Sequence, residues 1–385
     1  LVARFYGAGH PKDVSKTVHS ALLVSLAAGV LLLFVGLFGS PALLELLNTK
    51  ADLLPGAILY LRVYFLGMPA LALYNFGNAV FSAIGETKKP LAYLSFAGVL
   101  NILLNLFFVI VCKLDVAGVA LASTIAQCVS AGLILHALTK VSDCYALDFH
   151  KVRLDLNMTK RILMLGVPAG LQNAIFAIAN LFIQAGVNSF DSLMVKGNSA
   201  AANADNMIYD AMAAFYMACA SFMSQNYGAG NLARCRRATW VSMGLNFCAS
   251  VMMIAVVLIF ERSILGLFTH SEAVMEIAIT RILLVVLAEP ISVVMETVSD
   301  AMRGYGYSMP PAMVTLFCIC SIRIVWVYTV FAADPTFDTL MIVYPISWAV
   351  TTVALTWLYF RHQKMLTAKH AHSPASSPEA LPFTD

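Results

Sequence analysis

The tetrapeptide YGAG occurs twice, at Tyr6–Gly9 and at Tyr227–Gly230, each time between an apolar run and basic residues. The second copy follows the first by 221 residues. Three further pairs of glycine or proline residues keep this offset: Pro69 with Pro290, Gly85 with Gly306 and Pro90 with Pro311. Glycine and proline punctuate any helical protein, but several of them in one register predict an internal duplication.

The composition indicates an integral membrane protein. Of 385 residues, 60% are hydrophobic and only 12% are charged, and the mean hydropathy is +0.80. Soluble domains carry about 25% charged residues. The net charge of +3 is too small for a nucleic-acid-binding protein, and the eight cysteines show no CxxC or Cys/His spacing. We therefore expect no nucleic-acid partner, no metal site and no disulfide framework.

Ten apolar runs are long enough to cross a bilayer as helices, which takes about 20 residues each. Their approximate bounds are 16–39, 56–84, 91–112, 118–138, 162–189, 199–224, 238–260, 274–303, 311–331 and 339–360. The run at 199–224 is the weakest, because four polar residues crowd its first half: Asn203, Asp205, Asn206 and Asp210. The tail at 361–385 is polar and proline-rich, and we predict that it is disordered.

The duplication predicts two lobes of six helices each. Two runs precede the second YGAG, whereas only Leu1–Phe5 precede the first, so about 60 residues would be needed upstream to complete the first copy. We expect a first lobe at 1–138 that lacks its first helix and most of its second, a loop at 139–161 and a complete second lobe at 162–360. An even number of spans gives both lobes one orientation, as in parallel repeats. The predicted fold class is an all-α, polytopic membrane protein.

Lysine and arginine residues predict the orientation. When alternate loops are assigned to one side, 17 of these residues fall on that side, four fall on the other and three lie within spans. By the positive-inside rule, the side with 17 faces the cytoplasm. We therefore expect the two YGAG turns, the loop at 139–161 and the C-terminus to be cytoplasmic.

One predicted span carries an acidic face. Glu289, Glu296, Asp300 and Arg303 recur at helical spacing within a stripe about 60° wide. Charged side chains are costly in lipid and usually face a cavity or one another. Glu289 or Glu296 could exchange protons or capture a cationic substrate. Asp300 with Arg303 also fits an ion pair near the interface, and Glu296 could pair with Arg323 of the next span.

Amide side chains dominate the polar positions of three other spans. They form groups that each share one helix face: Asn75 with Asn78, Asn101 with Asn105, and Asn173 with Asn180 and Gln184. A neutral amide can coordinate a cation or orient a substrate, but it carries no proton. Adhesion between helices explains such groups equally well.

The motifs together resemble the multidrug and toxic compound extrusion (MATE) transporters, close to their bacterial DNA-damage-inducible-protein-F-like branch. The resemblance covers Leu1 to about Arg361 and rests on ARFYGAG, GETKKP, NILLNLFFVIVCKLDVAGVALAST, LGVPAGLQN, SQNYGAG and RGYGYSMPP, in this order. It implies export of cationic or amphipathic organic compounds in exchange for protons or sodium, by alternating access of the two lobes.

The chain departs from this family at two positions. The Asn101 to Asn105 spacing resembles an Asn-x-x-x-Asp element whose acid helps to couple transport, but the second residue here is an amide. Sodium-coupled members often carry an acid after the proline that corresponds to Pro168, and AGLQNAIFAIAN contains none. The resemblance therefore implies neither a first-lobe proton site nor that sodium site, and leaves Glu289, Glu296 and Asp300 as the candidates for coupling.

Several other function classes lack their motifs. The sequence contains no GxxxxGK[ST], HExxH or GxSxG, so we expect no ATP-driven transport, no enzyme activity and no cofactor. We predict a monomeric multi-pass protein of the bacterial inner membrane that handles an organic cation or amphipathic molecule and a proton or sodium ion. The alternative is a lipid-linked oligosaccharide flippase of the same superfamily, in which arginines would bind pyrophosphate; the candidates are Arg62, Arg281 and Arg323.

Overall fold

The structure is a computed structural model that describes residues 1–46 and 53–371. Within these residues it contains sixteen α-helices and no β-strand, which confirms the prediction of an all-α fold. The chain divides into two compact units, Leu1–Ile162 and the residues from Leu163 onward. We refer to these as the first unit and the second unit.

The first unit contains six helices and the start of a seventh. They are α1 (Val2–Gly7), α2 (Pro11–Leu46), α3 (Leu54–Phe65), α4 (Met68–Ile84), α5 (Lys88–Leu106), α6 (Asp115–Thr139) and the beginning of α7 (Leu156–Val187). A π-helical turn at Phe107–Val111 extends α5, and a 3-10 turn at Phe149–Lys151 lies in the loop after α6.

The second unit contains the remaining helices. They are most of α7, then α8 (Ser192–Gly228), α9 (Leu232–Ile259), α10 (Glu261–Leu265), α11 (Glu272–Val285), α12 (Glu289–Gly304), α13 (Met309–Thr315), α14 (Ser321–Trp326), α15 (Phe337–Met341) and α16 (Val343–Ala371). A 3-10 turn at Val286–Ala288 joins α11 to α12, and π-helical turns at Leu316–Cys320 and Val327–Phe331 flank α14.

Many of these helices could cross a membrane. Among the described residues, eight helical segments are long and apolar enough, or nine if the bent pair α3 and α4, which meet at 43°, counts as one span. The weak run at 199–224 is helical as predicted and belongs to the 37-residue α8, but α8 is not among the segments that are apolar enough to cross a membrane. Large apolar side chains are exposed on outer faces, for example Phe38, Ile110 and Phe317. Lipid stabilises such faces, whereas water does not.

The backbone repeats the 221-residue offset. In the described residues, the glycines with positive φ are Gly9 and Gly230, at 70° and 72°, and Gly85 and Gly306, both at 88°. Glycine adopts this left-handed conformation without the steric cost that a Cβ atom brings. The final glycine of each YGAG therefore performs the same task, which is to turn the chain out of one helix and into the next.

Helix starts follow the same register. α4 begins at Met68 and α12 begins at Glu289, and each has a proline in its first turn. Proline is tolerated there because the first helical N–H groups have no partner within the helix. The duplication predicted from glycine and proline residues thus extends to the bounds of the helices.

The last helix is longer than the sequence predicts. α16 continues to Ala371, so residues 361–371, which we assigned to a disordered tail, are helical. Tertiary contacts explain the difference. Arg236 of α9 donates hydrogen bonds to Gln363 Oε1, at 3.3 Å, and to Thr367 Oγ1, while His362 stacks on Tyr307 with ring centroids 4.4 Å apart. The remainder of the predicted tail, 372–385, lies outside the described residues.

Candidate functional site

The acidic residues predicted in the second unit are buried on α12. Glu289, Glu296 and Asp300 are 2%, 6% and 3% exposed. The helix starts at Glu289 because a 3-10 turn precedes it and Pro290 fits its first turn. A buried carboxylate is costly unless a hydrogen bond, a counter-ion or a proton compensates it. The partners of each acid therefore indicate what it can do.

Glu289 belongs to a polar cluster that the sequence analysis did not predict. Arg281 of α11 forms an ion pair with Asp205 of α8, with 3.1 Å between Nη2 and Oδ2. Glu289 lies within hydrogen-bonding reach of Asp205 and accepts a hydrogen bond from Ser292 Oγ at 3.0 Å. The carboxyl groups of Asp205 and Glu289 therefore share one counter-ion, Arg281, inside the second unit.

Glu296 is the least compensated acid of α12. Across the described part of the chain it forms no hydrogen bond and no ion pair. It lies near Asp300 on its own helix and near Tyr209 and Tyr216 of α8, whose ring centroids are 6.4 Å apart. Its charge must therefore be balanced by a proton or by a cation.

The predicted ion pair between Asp300 and Arg303 is present, with 2.5 Å between Oδ1 and Nη1. Arg303 also donates a hydrogen bond to Gln172 Oε1 of α7 at 2.7 Å. Gln172 Nε2 in turn lies 3.5 Å from Ser299 Oγ. This network ties α12 to α7, which gives Asp300 a structural task. Its part in cation coupling stays a prediction.

The suggested pair of Glu296 with Arg323 is wrong. Arg323, which is 1% exposed, donates hydrogen bonds to Ser347 Oγ at 3.3 Å and to Asn180 Oδ1. Its guanidinium carbon also lies 4.6 Å from the ring centroid of Tyr344. These contacts turn the side chain toward α7 and α16 and away from the acid.

The ring of Tyr344 also contacts a second arginine, Arg281. The guanidinium carbon of Arg281 lies 5.9 Å from the centroid of the Tyr344 ring. The two arginines come from α11 and α14, which are distant in sequence. Their shared aromatic contact was therefore not predictable from spacing along either helix.

The other predicted polar residues of α7 do not form one network. Gln184 donates a hydrogen bond to Asn188 at 2.8 Å, and Asn180 accepts one from Arg323. Asn173 is exposed on the same helix. Of this group, the structure therefore brings only Asn180 to the arginine and aromatic cluster.

The amides of the first unit mainly join helices. Asn105 donates a hydrogen bond to Asn101 at 3.0 Å, and Asn101 donates one to Ser123 of α6 at 3.2 Å. Asn78 accepts a hydrogen bond from Ser82 at 3.5 Å, whereas Asn75 is exposed. The contacts of Asn101 and Asn105 agree with adhesion between α5 and α6.

No group of three or more histidine, cysteine, aspartate or glutamate side chains within 1–46 and 53–371 is arranged to hold a metal ion. The polar chemistry of the second unit therefore rests on the carboxyl pair, on Glu296 and on the two arginines at Tyr344.

Comparison with known proteins agrees with this architecture. The MatE family model matches residues 1–107 and 168–329, which is well over half of the chain. Over 197 residues the chain is 34% identical to the probable multidrug resistance protein YpnP of Bacillus subtilis, an alignment that covers 51% of this chain and 44% of that protein. Over 333 residues it is 23% identical to the probable multidrug resistance protein YoeA of the same organism, covering 84% and 72%.

Solved structures show the same fold. A MOP superfamily transporter from Pyrococcus furiosus, described as having a binding pocket of reverse polarity that suggests a different function, matches with a TM-score of 0.88. The match covers 95% of this chain and 82% of that one at 20% sequence identity.

Proposed function

Because the chain belongs to the MatE family, we propose that it is a secondary transporter that exports cationic or amphipathic organic compounds in exchange for protons. The names of its relatives, which are probable multidrug resistance proteins, support this substrate class. The excess of lysine and arginine on one side supports a place in the bacterial inner membrane with a cytoplasmic C-terminus.

Glu296 is the observation that carries the proposal. It is a buried carboxyl group with no ion pair in the described residues, so its negative charge needs a proton or a cation as partner. A proton and a cationic substrate compete for this one charge, because the neutral acid no longer attracts a cation. Alternate occupancy by the two is the physical basis of exchange.

The aromatic side chains near Glu296 support a cationic organic substrate. Tyr209 and Tyr216 form an edge-to-face pair on α8, and Tyr209 is 38% exposed. The face of such a ring attracts an organic cation. Glu289 would act as a second proton-binding acid on the same unit.

Efflux driven by a pH gradient tests the proposal. The protein is expressed from its whole gene, purified and reconstituted in liposomes, and transport of a fluorescent organic cation is followed after a pH jump. We expect transport in sodium-free buffer, its collapse with a protonophore, and its loss in Glu296→Gln. Glu289→Gln should weaken it, and the double variant should be as inactive as Glu296→Gln.

Glu276→Gln is the matched control, because Glu276 is an exposed acid paired with Arg262. It should keep transport near the parent rate. If both Glu289→Gln and Glu296→Gln retain pH-driven efflux, the second unit does not couple transport to protons. Transport that requires sodium and does not respond to the pH gradient would identify sodium, and not the proton, as the coupling ion.

The flippase alternative has weaker support. Arg281 is already ion-paired with Asp205, and Arg62 donates a hydrogen bond to the backbone oxygen of Leu37 at 3.1 Å in the first unit. Only Arg323 of the three predicted arginines lacks both a carboxylate and a backbone oxygen as partner in the described residues. A pyrophosphate group calls for several such arginines, so we favour the exporter.

A further inference from the structure

Arg323 is a buried cation whose described contacts are all neutral. Nε donates to Ser347, Nη1 donates to Asn180, and the guanidinium group faces the ring of Tyr344. Nη2 donates to no described atom. A guanidinium group offers five N–H donors and keeps its charge, so a buried one without a carboxylate is costly. This side chain is therefore suited to an anionic ligand.

Arg281 adds unused donors beside the same ring. Its Nη2 is engaged with Asp205, but Nε and Nη1 are buried and have no hydrogen-bond partner among the described residues. The side chain as a whole is 4% exposed. Unpaired buried donors of this kind are rare, and a bound ion or water molecule is one way in which they are satisfied.

The two carboxyl groups of the cluster do not compensate both arginines. Asp205 pairs with Arg281 and Glu289 lies beside them, whereas Arg323 contacts neither acid. The positive charge of Arg323 is therefore left without a counter-ion among the described residues.

We propose that Arg323 and Arg281 form a subsite around Tyr344 for the carboxylate or phosphate group of an aromatic substrate. A guanidinium group recognises both groups through charge-assisted hydrogen bonds, and the edge of the tyrosine ring, whose face is covered by the arginines, offers an apolar contact for an aromatic body. Asn180 is exposed and Tyr344 is half-buried, so a ligand can approach from their side. The subsite extends the substrate class from cations to zwitterions and organic anions. Its part in export rests on the proposed function, but its binding of oxyanions does not.

A matched pair of small aromatic probes tests the subsite. Thermal unfolding of the purified protein in detergent is measured with increasing 1-naphthoate and, separately, with 1-naphthamide, which has the same shape without the charge. We expect saturable stabilisation by naphthoate and none by naphthamide. Arg323→Gln should weaken the apparent affinity for naphthoate by roughly tenfold or more, the effect of losing a charge-assisted hydrogen bond. Arg323→Lys, which keeps the charge but loses the fork, should lie between the two.

Arg262→Gln is the control, because Arg262 is an exposed arginine that pairs with Glu272 and Glu276. It should bind naphthoate like the parent. Equal stabilisation by both probes, or unchanged naphthoate affinity in Arg323→Gln and Arg323→Lys, would overturn the subsite. If Arg323→Gln does not fold, the probe pair on the parent and on Arg323→Lys decides.

Two lipid compositions identify the source of the oxyanion. In nanodiscs of neutral phosphatidylcholine we expect the naphthoate affinity found in detergent. If phosphatidylglycerol lowers that affinity in the parent but not in Arg323→Lys, a lipid headgroup also occupies the subsite. Naphthoate binding in a protein that shows no pH-driven efflux would contradict the exporter and leave the subsite standing. Efflux without naphthoate binding would support the exporter and contradict the subsite.

Discussion

The two units share a backbone plan but differ in their chemistry. Gly9 and Gly230 turn the chain alike, whereas the positions of Glu289 and Glu296 are occupied in the first unit by Met68 and Asn75. Turn glycines are constrained by backbone sterics, which act in the same way in both units. Buried charges are constrained only by their local partners. The comparison indicates that the buried charged residues can differ between the two units while the backbone turns stay the same.

The same contrast holds for the two arginines at Tyr344. The register places Tyr60 at the position of Arg281 and Ile102 at the position of Arg323. At these positions the first unit therefore has neither the carboxyl group of Glu289 nor the two guanidinium groups. Its matching helices carry amides instead, which join α5 to α6. Under the proposed function, Glu296 is therefore the candidate for ion coupling among the described residues.

The largest effect is expected from substituting Glu296, whose matching position in the first unit is Asn75. Glu296→Gln should abolish pH-driven efflux, because an amide cannot take up or release a proton at working pH. Asn75→Ala, at the matching position of the first unit, should leave the rate within about twofold, since Asn75 is exposed. Proteoliposome transport of both variants measures the difference. If Asn75→Ala were as inactive as Glu296→Gln, the division of tasks between the units would be refuted.

A large loss of stability is expected from breaking the buried ion pair of α12. Arg303→Ala leaves the carboxylate of Asp300 without its counter-ion, which should reduce the free energy of unfolding by about 3 kcal/mol. Ser82→Ala, at the matching position of the first unit, loses only a hydrogen bond of 3.5 Å and should cost about 0.5 kcal/mol. Denaturant unfolding of the purified protein measures both values. The pair Asp300→Asn with Arg303→Gln should recover part of the loss, and failure to do so would point to packing instead of charge.

These differences show which features the sequence could predict. Apolar length is a local property and predicted the helices that could cross a membrane, while the turn-forming glycine and proline residues predicted the repeated turns. The Asp300 and Arg303 pair was also predictable, because its members lie one turn apart on one helix. In all these cases the necessary information lies within a single helix.

Contacts between helices could not be predicted in this way. Arg281 meets Asp205, and Arg323 meets Asn180 and Tyr344, only because α7, α8, α11, α14 and α16 pack with particular rotations. Hydrophobic periodicity is weak in spans that are apolar all round, so it does not specify these rotations. The suggestion that Glu296 pairs with Arg323 was wrong for this reason. The helical segment 361–371 was missed because Arg236 and Tyr307 stabilise it from other parts of the chain.

The repeated turns should respond equally to substitution. Gly9→Ala and Gly230→Ala should each lower the free energy of unfolding by about 1 kcal/mol, because alanine is strained at positive φ. Steric clash is not the cause, since a Cβ atom at either glycine would meet nothing within 4 Å. Gly132→Ala in α6 is the control, because that helical site is equally open, and it should not destabilise the protein. Unequal costs for Gly9 and Gly230 would mean that the two YGAG turns are not equivalent.

The smallest effect is expected from Asp148, in the loop between α6 and α7. The backbone N–H of His150 and the ammonium group of Lys151 hold the pKa of Asp148 below its ordinary value. A lowered pKa in the folded state stabilises the protein above the unfolded value, near 4, and this contribution disappears as the pH falls through the folded pKa. Asp148→Asn should therefore lower the thermal midpoint slightly at pH 7 and leave it unchanged near pH 3. Thermal unfolding of the parent and of Asp148→Asn at both pH values measures the difference, and an equally lowered midpoint at pH 7 and pH 3 would contradict the role assigned to the Asp148 charge.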